Sequence, residues 1–263
     1  MQHIEQPTIV TVKEVIKESS NFKTFVLDYP LDAKPGQFLM VWLPGVDSKP
    51  FSVAWQKENE FAIGVIKVGP YTKELFKLKK GDKLGFTGPY GTSYNFEDKK
   101  KILILGGGSG IASVTYLAQR ARENNIEVDF LIAAKDKKSI VYEKWLEDQG
   151  INVIHRFKKN NHERAWAMFK ELSSNNYDSW YACGPELLLK KIVDLSIEKK
   201  TKCQVSLERY MKCGIGVCGS CCVDPLGICL CQAGPVVNAT FANNISEFGE
   251  YYRDGSGAKV NFK

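Results

Sequence analysis

The residues best suited to chemistry are cysteines, and six of the eight lie within residues 211–237. The first three, Cys213, Cys218 and Cys221, have the spacing C-x4-C-x2-C. This spacing is typical of a plant-type [2Fe–2S] loop, which a later cysteine completes. Glycines at positions 214, 216 and 219 suit a loop that wraps a cluster, because glycine adopts backbone angles that other residues avoid. We therefore predict an iron–sulfur centre in this segment.

Other uses of clustered cysteines fit less well. Structural zinc sites usually carry two closely spaced cysteine pairs or a histidine pair, and the only histidines, His3, His155 and His162, lie far off in sequence. A disulfide framework is typical of small secreted chains, whereas this chain has 263 residues. Inert buried cysteines would not cluster so tightly. The iron–sulfur interpretation is favoured over zinc and over a purely structural role.

The fourth ligand is not decided by spacing. Cys222 directly follows Cys221, so their side chains should diverge, and we rank Cys222 last. Cys229 and Cys231 both close a short loop, and they share one face if residues 228–231 form a strand. Sequence spacing therefore leaves these two cysteines as alternatives.

A second candidate site is the glycine run at residues 106–110, which follows the apolar run 102–105. Backbone N–H groups between a strand and a helix attract phosphate groups, and glycine lets a diphosphate come close. The run is not the Rossmann fingerprint, because Ile111 stands where the third glycine is required. Cys183-Gly184-Pro185 ends another strand and supports a nucleotide site there. We interpret Cys183 as a buried small residue, and we predict no catalytic nucleophile.

Two kinds of pattern must position these residues. Residues 7–98 carry short β-branched and aromatic segments (8–16, 24–28, 38–43 and 61–68), with turn residues at 19–21, 34–36, 80–82 and 88–91; many short strands indicate a barrel or sandwich. From residue 101 strands alternate with helices, and this alternation predicts a parallel sheet. The predicted strands are 102–105, 128–133, 152–155 and 180–182. The predicted helices begin at 111 or lie near 141–149, near 163–172 and at 185–199. We expect domains at 1–98, 99–200 and 201–263, an all-β unit followed by an α/β unit and a cysteine segment.

Composition excludes several classes of protein. The net charge of +6 is modest and its lysines are scattered, so nucleic-acid binding is not expected. No apolar stretch reaches the roughly 18 residues of a membrane span. The first residues lack the apolar core of a signal peptide. We therefore expect a cytoplasmic protein that binds neither membrane nor nucleic acid.

The order of barrel, nucleotide-type domain and cysteine loop resembles the ferredoxin–NADP reductase superfamily, and more closely the electron-transfer subunits of NAD-dependent dihydroorotate dehydrogenases. The superfamily resemblance rests on Lys34-Pro35-Gly36-Gln37-Phe38, Lys49-Pro50-Phe51-Ser52, Lys67-Val68-Gly69-x-x-Thr72, Gly81-Asp82, Gly88-Pro89-x-Gly91 and the two glycine motifs above. The subunit resemblance rests on Leu207-Glu208-Arg209-x-Met211-x-Cys213-Gly214-Ile215-Gly216-x-Cys218 and Cys231-x-x-Gly234-Pro235-Val236. The last motif implies that Cys231 is the fourth ligand, beside Cys213, Cys218 and Cys221.

The resemblance implies an antiparallel flavin-binding β-barrel, a parallel-sheet nucleotide-binding domain and a C-terminal [2Fe–2S] loop segment. It assigns FAD to Lys49, Pro50, Phe51, Ser52, Ile66, Lys67, Val68, Tyr71 and Thr72. It assigns NAD to Gly106, Gly107, Gly108, Gly110, Cys183, Gly184 and Pro185. Two positions depart from the family: Lys49 replaces an arginine and loses its bidentate fork, and Tyr71 replaces a glycine. NAD versus NADP stays open, because Asp136 suits a ribose hydroxyl while Lys135, Lys137 and Lys138 suit a phosphate.

The activity implied by the resemblance is electron relay. An FMN-containing catalytic subunit oxidises dihydroorotate, and electrons pass through the [2Fe–2S] cluster to FAD and then to NAD+, in pyrimidine biosynthesis. A heterotetramer of two catalytic and two electron-transfer subunits is expected, since this chain shows no dihydroorotate site. The alternatives are a diaphorase subunit of another redox complex, of hydrogenase or ferredoxin–NADP reductase type, and a zinc-stabilised binding subunit without redox function.

Overall fold

The computed structural model describes residues 6–155 and 161–262. Its first part is a closed six-stranded antiparallel barrel in the order β1-β2-β5-β4-β3-β6. The strands are β1 Thr8–Lys17, β2 Phe22–Asp28, β3 Phe38–Leu43, β4 Asp47–Lys57, β5 Glu60–Ile66 and β6 Lys83–Tyr90. The short helix α1 (Pro70–Leu75) follows β5 and buries Tyr71 and Leu75. The predicted barrel is confirmed.

Strand β5 shows how alternation builds two layers. Phe61, Ile63 and Val65 are fully buried in the barrel interior, as the two-residue period of a strand requires. Ala62, between them, packs in the second core, which the barrel shares with the sheet. One strand thus serves both the barrel and its contact with the next domain.

The turn prediction at residues 88–91 is wrong for its first residues. Gly88, Pro89 and Tyr90 lie within β6, which pairs with β1 and β3. Tyr90, at the end of β6, pairs with Phe38 of β3. This pairing between strands overrides the turn preference of Gly and Pro. The turn residues at 34–36 lie between β2 and β3, and those at 80–82 lie between α1 and β6.

The second part is a six-stranded sheet in the order β14-β11-β10-β7-β8-β9. Neighbouring strands run parallel except β14, which pairs antiparallel with β11. The parallel-sheet prediction is confirmed, with this edge strand as the exception. The strands are β7 Lys101–Gly107, β8 Glu127–Ala133, β9 Asn152–Ile154, β10 Ser179–Cys183, β11 Cys203–Ser206 and β14 Val236–Asn238.

Helices flank this sheet at α2 Ile111–Glu123, α3 Glu143–Asp148, α4 Asn161–Leu172 and α5 Glu186–Glu198. The predicted apolar stripe of α2 is buried, from Ile111 and Val114 to Ala121. On the barrel side, Gln119 of α2 donates to the carbonyl of Gln56 at 2.9 Å. Helix α2 therefore joins the sheet to the barrel. No helix among the described residues has both the length and the apolar character needed to cross a bilayer.

The C-terminal segment is partly built into the sheet through β11 and β14. Between them lie a two-stranded ribbon, β12 Cys222–Val223 with β13 Ile228–Cys229, and the one-turn helix α6 Leu230–Ala233. Helix α7 (Ala239–Asn243) follows β14, and the hairpin β15 Tyr251–Arg253 with β16 Lys259–Asn261 ends the described chain. The domain boundary expected near residue 200 thus falls between α5 and β11, and β11 belongs to the same sheet as β10.

Candidate functional site

A cleft of about 450 Å³ lies where barrel, sheet and C-terminal segment meet; we call it the barrel–sheet cleft. Strand β4 and the chain after β5 contribute most of the residues predicted to hold a flavin. They are Lys49, Pro50, Phe51, Ser52, Ile66, Val68 and Thr72. Gly110 and Cys183, which were predicted for the nucleotide, line the opposite wall. The structure therefore brings seven of the nine predicted flavin residues to one cleft.

Two predicted flavin residues lie elsewhere. The Lys67 side chain lies over the ring of Phe76, with its Nζ 5.5 Å from the ring centroid, and it lines a separate lysine-rich depression. Tyr71 is buried in the barrel core, where its hydroxyl donates to the Val41 carbonyl at 2.7 Å. Lys67 lies directly after β5, between Ile66 and Val68, which both line the cleft, and its own side chain lies outside it. The Tyr71 ring stacks on the ring of Phe51, which lines the cleft, so Tyr71 supports the cleft without lining it.

Lys49 and Thr72 already have partners inside the protein. The ammonium group of Lys49 lies 2.6 Å from Asp47 and donates to the Tyr210 hydroxyl at 3.4 Å. The Thr72 hydroxyl accepts from the backbone N–H groups of Val68 and Gly69, both at 3.0 Å. These bonds hold the cation and the hydroxyl at the cleft rim, where the polar part of a flavin nucleotide would meet them.

A second cavity, of about 900 Å³, opens at the ends of β7 and β10; we call it the α5 cavity. Of the residues predicted for the nucleotide, Gly107, Gly108, Gly184 and Pro185 line it. Gly106 lies behind them within β7. Asp136 and the lysines beside it line neither cavity.

Glycine is required where the two turns approach each other. A Cβ at Gly110 would stand 2.6 Å from the carbonyl carbon of Cys183 and 2.7 Å from the nitrogen of Gly184. Gly108 has a φ of +57° with no atom within 4 Å of its Cβ position, so its backbone faces open space. Cys183 itself is 2% exposed, and burial raises the pKa of its thiol to about 12. This placement agrees with a packing role for the cysteine and with a backbone surface for a diphosphate.

Sequence reasoning did not assign Ser109, Glu208 or Tyr210 to a site, yet all three line both cavities. Ser109 donates to the Glu208 carboxylate at 2.9 Å. The Glu208 side chain is exposed at the cavities, yet desolvation of its carboxylate by the surrounding protein raises its pKa despite the Ser109 hydrogen bond. Their position in the sequence could have identified these residues, because residues 208–210 connect the end of a sheet strand to the first cluster cysteine.

In the thiol loop, residues 213–231, backbone N–H groups donate to the sulfurs of three of the four predicted ligands. The Gly216 N–H donates to Cys231 Sγ at 3.1 Å. The Cys218 N–H donates to Cys213 Sγ at 3.4 Å, and the Cys231 N–H to Cys221 Sγ at 3.4 Å. Gly216 has a φ of +76°, and a side chain there would strike Gln232. N–H groups aimed at sulfur stabilise thiolates and tune a bound cluster.

The electrostatics of these thiols suit a bound cation. Burial raises the pKa of Cys231 to about 12, and the neighbouring Cys221 and Cys213 add to the increase. Hydrogen bonds from Ser220 lower the pKa of Cys218 to about 6. No group of three Cys, His, Asp or Glu in the described residues has the arrangement of a ready metal cage. The donor set nonetheless fits iron, because crowded sulfurs with N–H donors gain from a cation between them.

Cys222 and Cys229 face each other across the ribbon and are paired as a disulfide, with Cα atoms 3.9 Å apart. The sequence did not predict this pair, since Cys222 was ranked last as a ligand and Cys229 was kept as an alternative to Cys231. The strand β13 ends at Cys229, and Cys231 lies in the helical turn α6. Cys229 and Cys231 therefore do not share a strand face: one meets Cys222, and the other meets Cys221.

A buried ionic network connects the thiol loop to the α5 cavity. Arg209 is 9% exposed, and its guanidinium binds both carboxylate oxygens of Glu186, at 2.5 and 3.0 Å. It also donates to Glu247 at 2.8 Å, and Glu247 is fully buried. Glu186 begins α5 beside Pro185, so Arg209 holds residues 208–210 against the nucleotide turn.

Comparison with known proteins agrees with this arrangement. Residues 208–241 match the family model for the iron–sulfur cluster binding domain of dihydroorotate dehydrogenase B. A protein from Methanocaldococcus jannaschii is 40% identical over 98% of this chain and 99% of its own length. One from Pyrococcus furiosus is 39% identical over 94% and 96%. Both are named "Probable dihydroorotate dehydrogenase B (NAD(+)), electron transfer subunit".

Solved structures share the fold at lower identity. The NADH-dependent reduced ferredoxin–NADP oxidoreductase superposes with a TM-score of 0.79 at 24% identity, over 91% of this chain and 90% of its own. Phthalate dioxygenase reductase superposes with a TM-score of 0.61 at 18% identity, over 72% and 64%. The fold is therefore that of the flavin- and pyridine-nucleotide-dependent reductases. Taken with the full-length relatives, this chain belongs to the family of dihydroorotate dehydrogenase B electron-transfer subunits.

Proposed function

We propose that this chain accepts electrons from a catalytic subunit that oxidises dihydroorotate and delivers them to NAD+, as a step in pyrimidine biosynthesis. The observation that carries the proposal is that the six residues 208–213 reach the α5 cavity, the barrel–sheet cleft and the thiol loop in turn. Glu208 and Tyr210 line both cavities, Met211 lines the barrel–sheet cleft, and Cys213 begins the thiol loop. An electron path from thiol loop to cleft to α5 cavity thus follows one short, ordered segment.

The cofactors follow from these sites. The thiol loop holds a [2Fe–2S] cluster through Cys213, Cys218, Cys221 and Cys231. The barrel–sheet cleft holds FAD, with Ser52 beside the flavin ring and Lys49 and Thr72 near its diphosphate. When bound, the cluster exchanges single electrons and FAD exchanges one or two, so the pair connects a one-electron donor to the two-electron acceptor NAD+. The chain's own residues position these groups and exclude water from the cleft.

Within the chain, three units carry this function: residues 1–98 for FAD, 99–200 for NAD and 201–263 for the cluster. NAD rather than NADP is the proposed acceptor, since the names of both relatives carry NAD(+). The partner is an FMN-containing catalytic subunit, in a complex of two catalytic and two electron-transfer subunits. We place the complex in the cytoplasm, a compartment that favours thiol-ligated clusters.

The decisive experiment reconstitutes the chain with FAD, iron and sulfide and mixes it with a dihydroorotate dehydrogenase catalytic subunit. We expect dihydroorotate-dependent NAD+ reduction, with little reduction of NADP+. Light scattering of the complex measures its mass and hence the stoichiometry. A complex that forms with both cofactors loaded but shows no such activity would contradict the function and favour another diaphorase. A colourless, flavin-free, zinc-containing preparation would favour a non-redox binding subunit.

A further inference from the structure

Two cysteines of the thiol loop are not needed as cluster ligands, and the structure joins them to each other. Cys222 of β12 lies directly opposite Cys229 of β13, and their side chains form a disulfide; we call these two residues the 222–229 pair. Cys222 directly follows the predicted ligand Cys221, and Cys229 lies two residues before the predicted ligand Cys231. The disulfide therefore joins the two short strands that lead to the third and fourth ligands.

The ribbon that carries this pair has a buried face and a face open to solvent. Val223 and Leu230 are fully buried, and the Leu230 N–H donates to the carbonyl of Cys221 at 3.1 Å. Side chains alternate along a strand, so Cys222 points away from the face of Val223. Cys222 and Cys229 are both half-buried. A disulfide in this position is accessible to small thiols from solvent.

The two strands of the ribbon are held unequally by the rest of the protein. Next to β12, the Ser246 N–H donates to the carbonyl of Asp224 at 2.9 Å, and the Asp224 carboxylate pairs with Arg253 at 2.6 Å. The connection to β13, residues 225–227, is exposed. The disulfide therefore extends the anchor of β12 to β13, and through β13 to Cys231.

The ribbon is too short to be stable by itself. Strands β12 and β13 have two residues each, and an isolated two-stranded ribbon is at best marginally stable in water. The direct contact between the third and fourth ligands is a single hydrogen bond, from the Cys231 N–H to Cys221 Sγ at 3.4 Å. A covalent bond between the two strands is therefore a large part of what keeps these ligands together.

Loss of iron from such a loop requires the ligand sulfurs to move apart, which is a local opening of the chain. A disulfide restricts the conformations of an opened segment and so makes opening less frequent. The bond between Cys222 and Cys229 does not involve the four predicted ligands. It should change how fast iron is lost, and leave the number and identity of the ligands unchanged.

We propose that the 222–229 pair is a reversible redox site whose oxidation slows the loss of iron from the thiol loop. This inference rests on the proposed function, which assigns a cluster to the loop. The two thiols react with a low-molecular-weight disulfide: the S–S bond forms between Cys222 and Cys229, two electrons pass to the small disulfide, and it leaves as two thiols. Excess small thiol reverses the reaction. The bond thus forms under the oxidising conditions that also attack cysteine thiolates.

The test uses the chain reconstituted with FAD and cluster, treated with glutathione disulfide or with reduced glutathione. Mass spectrometry of alkylated, unreduced peptides identifies the 222–229 bond, and the decay of visible absorption in excess chelator measures iron release. Release from the unmodified chain should be about tenfold slower after glutathione disulfide than after reduced glutathione. Cys222→Ser and Cys229→Ser should begin with the same iron content and spectrum. Both variants should release iron at the faster rate after either treatment.

Cys203→Ala is the matched control, because it removes a free, buried thiol of β11 outside the thiol loop. It should keep the dependence of iron release on the glutathione treatment. Flavin content and melting temperature establish that each variant is folded.

A 222–229 bond that does not form in glutathione disulfide, or that forms without slowing iron release, would overturn the proposal. So would a redox dependence that persists in both serine variants, because it would place the effect at other thiols. An unmodified chain that takes up no iron after either treatment would overturn the proposed function itself.

Discussion

The glycine turns after β7 and β10 and the thiol loop both present backbone N–H groups to a ligand site, but they are held by different forces. The turn after β7 follows Ile102, Leu103, Ile104 and Leu105, which are all fully buried. Each such side chain contributes about 1.5–3 kcal/mol of transfer free energy. By contrast, the thiol loop exposes Ile215 by 47% and Val217 by 79%, and its regular elements span only two to four residues.

This difference indicates which site is formed before its ligand arrives. The sheet and α2 fix the glycine turns without a nucleotide. In the thiol loop, Val223 and Leu230 are fully buried, but residues 215–220 are exposed or half-buried. The N–H···S bonds and the bound cluster must therefore supply the order of that part. A nucleotide site of this kind should survive cofactor removal, whereas a cluster site should not.

The largest effect is expected at the fourth ligand. Cys231→Ser should reduce iron from about two atoms per chain to almost none, because it removes the thiol beside Cys221. Cys229→Ser is the matched control, since Cys229 pairs with Cys222, and it should keep the cluster. Iron analysis and visible absorption measure both variants. Retained iron in Cys231→Ser with loss in Cys229→Ser would reverse the ligand assignment.

If the two regions differ as described, ADP-ribose affinity in Cys231→Ser should stay within about threefold of the unmodified chain, below 1 kcal/mol. Calorimetry on the cluster-free protein provides the measurement. A nucleotide site that collapses with the cluster would show that the α5 cavity depends on the thiol loop for its order.

The next effect is expected at the connection between the regions. Arg209→Met should lower the free energy of unfolding by about 3–5 kcal/mol, because it leaves Glu186 and Glu247 buried without a cation. Arg253→Met is the control: its pair with Asp224 is exposed to solvent, so its loss should lower the free energy of unfolding far less. Urea unfolding of both proteins tests this. Equal losses of unfolding free energy in the two variants would mean that burial does not make the Arg209 ion pairs stronger than the exposed Arg253 pair.

A smaller effect is expected within the glycine turns. Gly110→Ala should destabilise the protein by about 1–3 kcal/mol, because its Cβ meets backbone atoms that have no room to move. It should also weaken ADP-ribose binding. Gly108→Ala meets no atom but has a φ of +57°, so about 1–2 kcal/mol is expected from backbone strain alone. Thermal unfolding and calorimetry distinguish the two, and unchanged ADP-ribose binding in Gly110→Ala would argue against the close approach of the turns.

The smallest effect concerns Glu208. Since its folded pKa is raised above the usual 4.5, the folded state binds more protons than the unfolded state between these two values. Stability therefore falls as pH rises through this window. Glu208→Gln should remove that fall and be more stable than the unmodified chain above the window, with no difference below it. Melting temperatures across pH 3–8 provide the check, and parallel curves would contradict the raised pKa.

The sequence predicted much of the fold because local patterns carry it. The bounds of the apolar strand 38–43 were predicted correctly, and the stripe from Ile111 to Ala121 identified α2. Strands rich in Gly and Pro were harder: β6 carries Gly88 and Pro89, and only pairing with β1 and β3 makes it a strand. The antiparallel edge strand β14 was missed for a related reason, since three residues show no periodicity.

What the sequence alone determined was the chemistry of the short motifs: three thiols at cluster spacing, and glycines between strand and helix. Their spacing is a local property of the chain. Tertiary structure decided which side chains face which cavity. It places Cys231 beside Cys221 and Cys229 beside Cys222, because β13 gives way to a helical turn between them. It turns Lys67 and Tyr71 away from the cleft and brings Glu208, Tyr210 and the hairpin to the α5 cavity. Such contacts join residues distant in sequence, and only packing of the whole chain determines them.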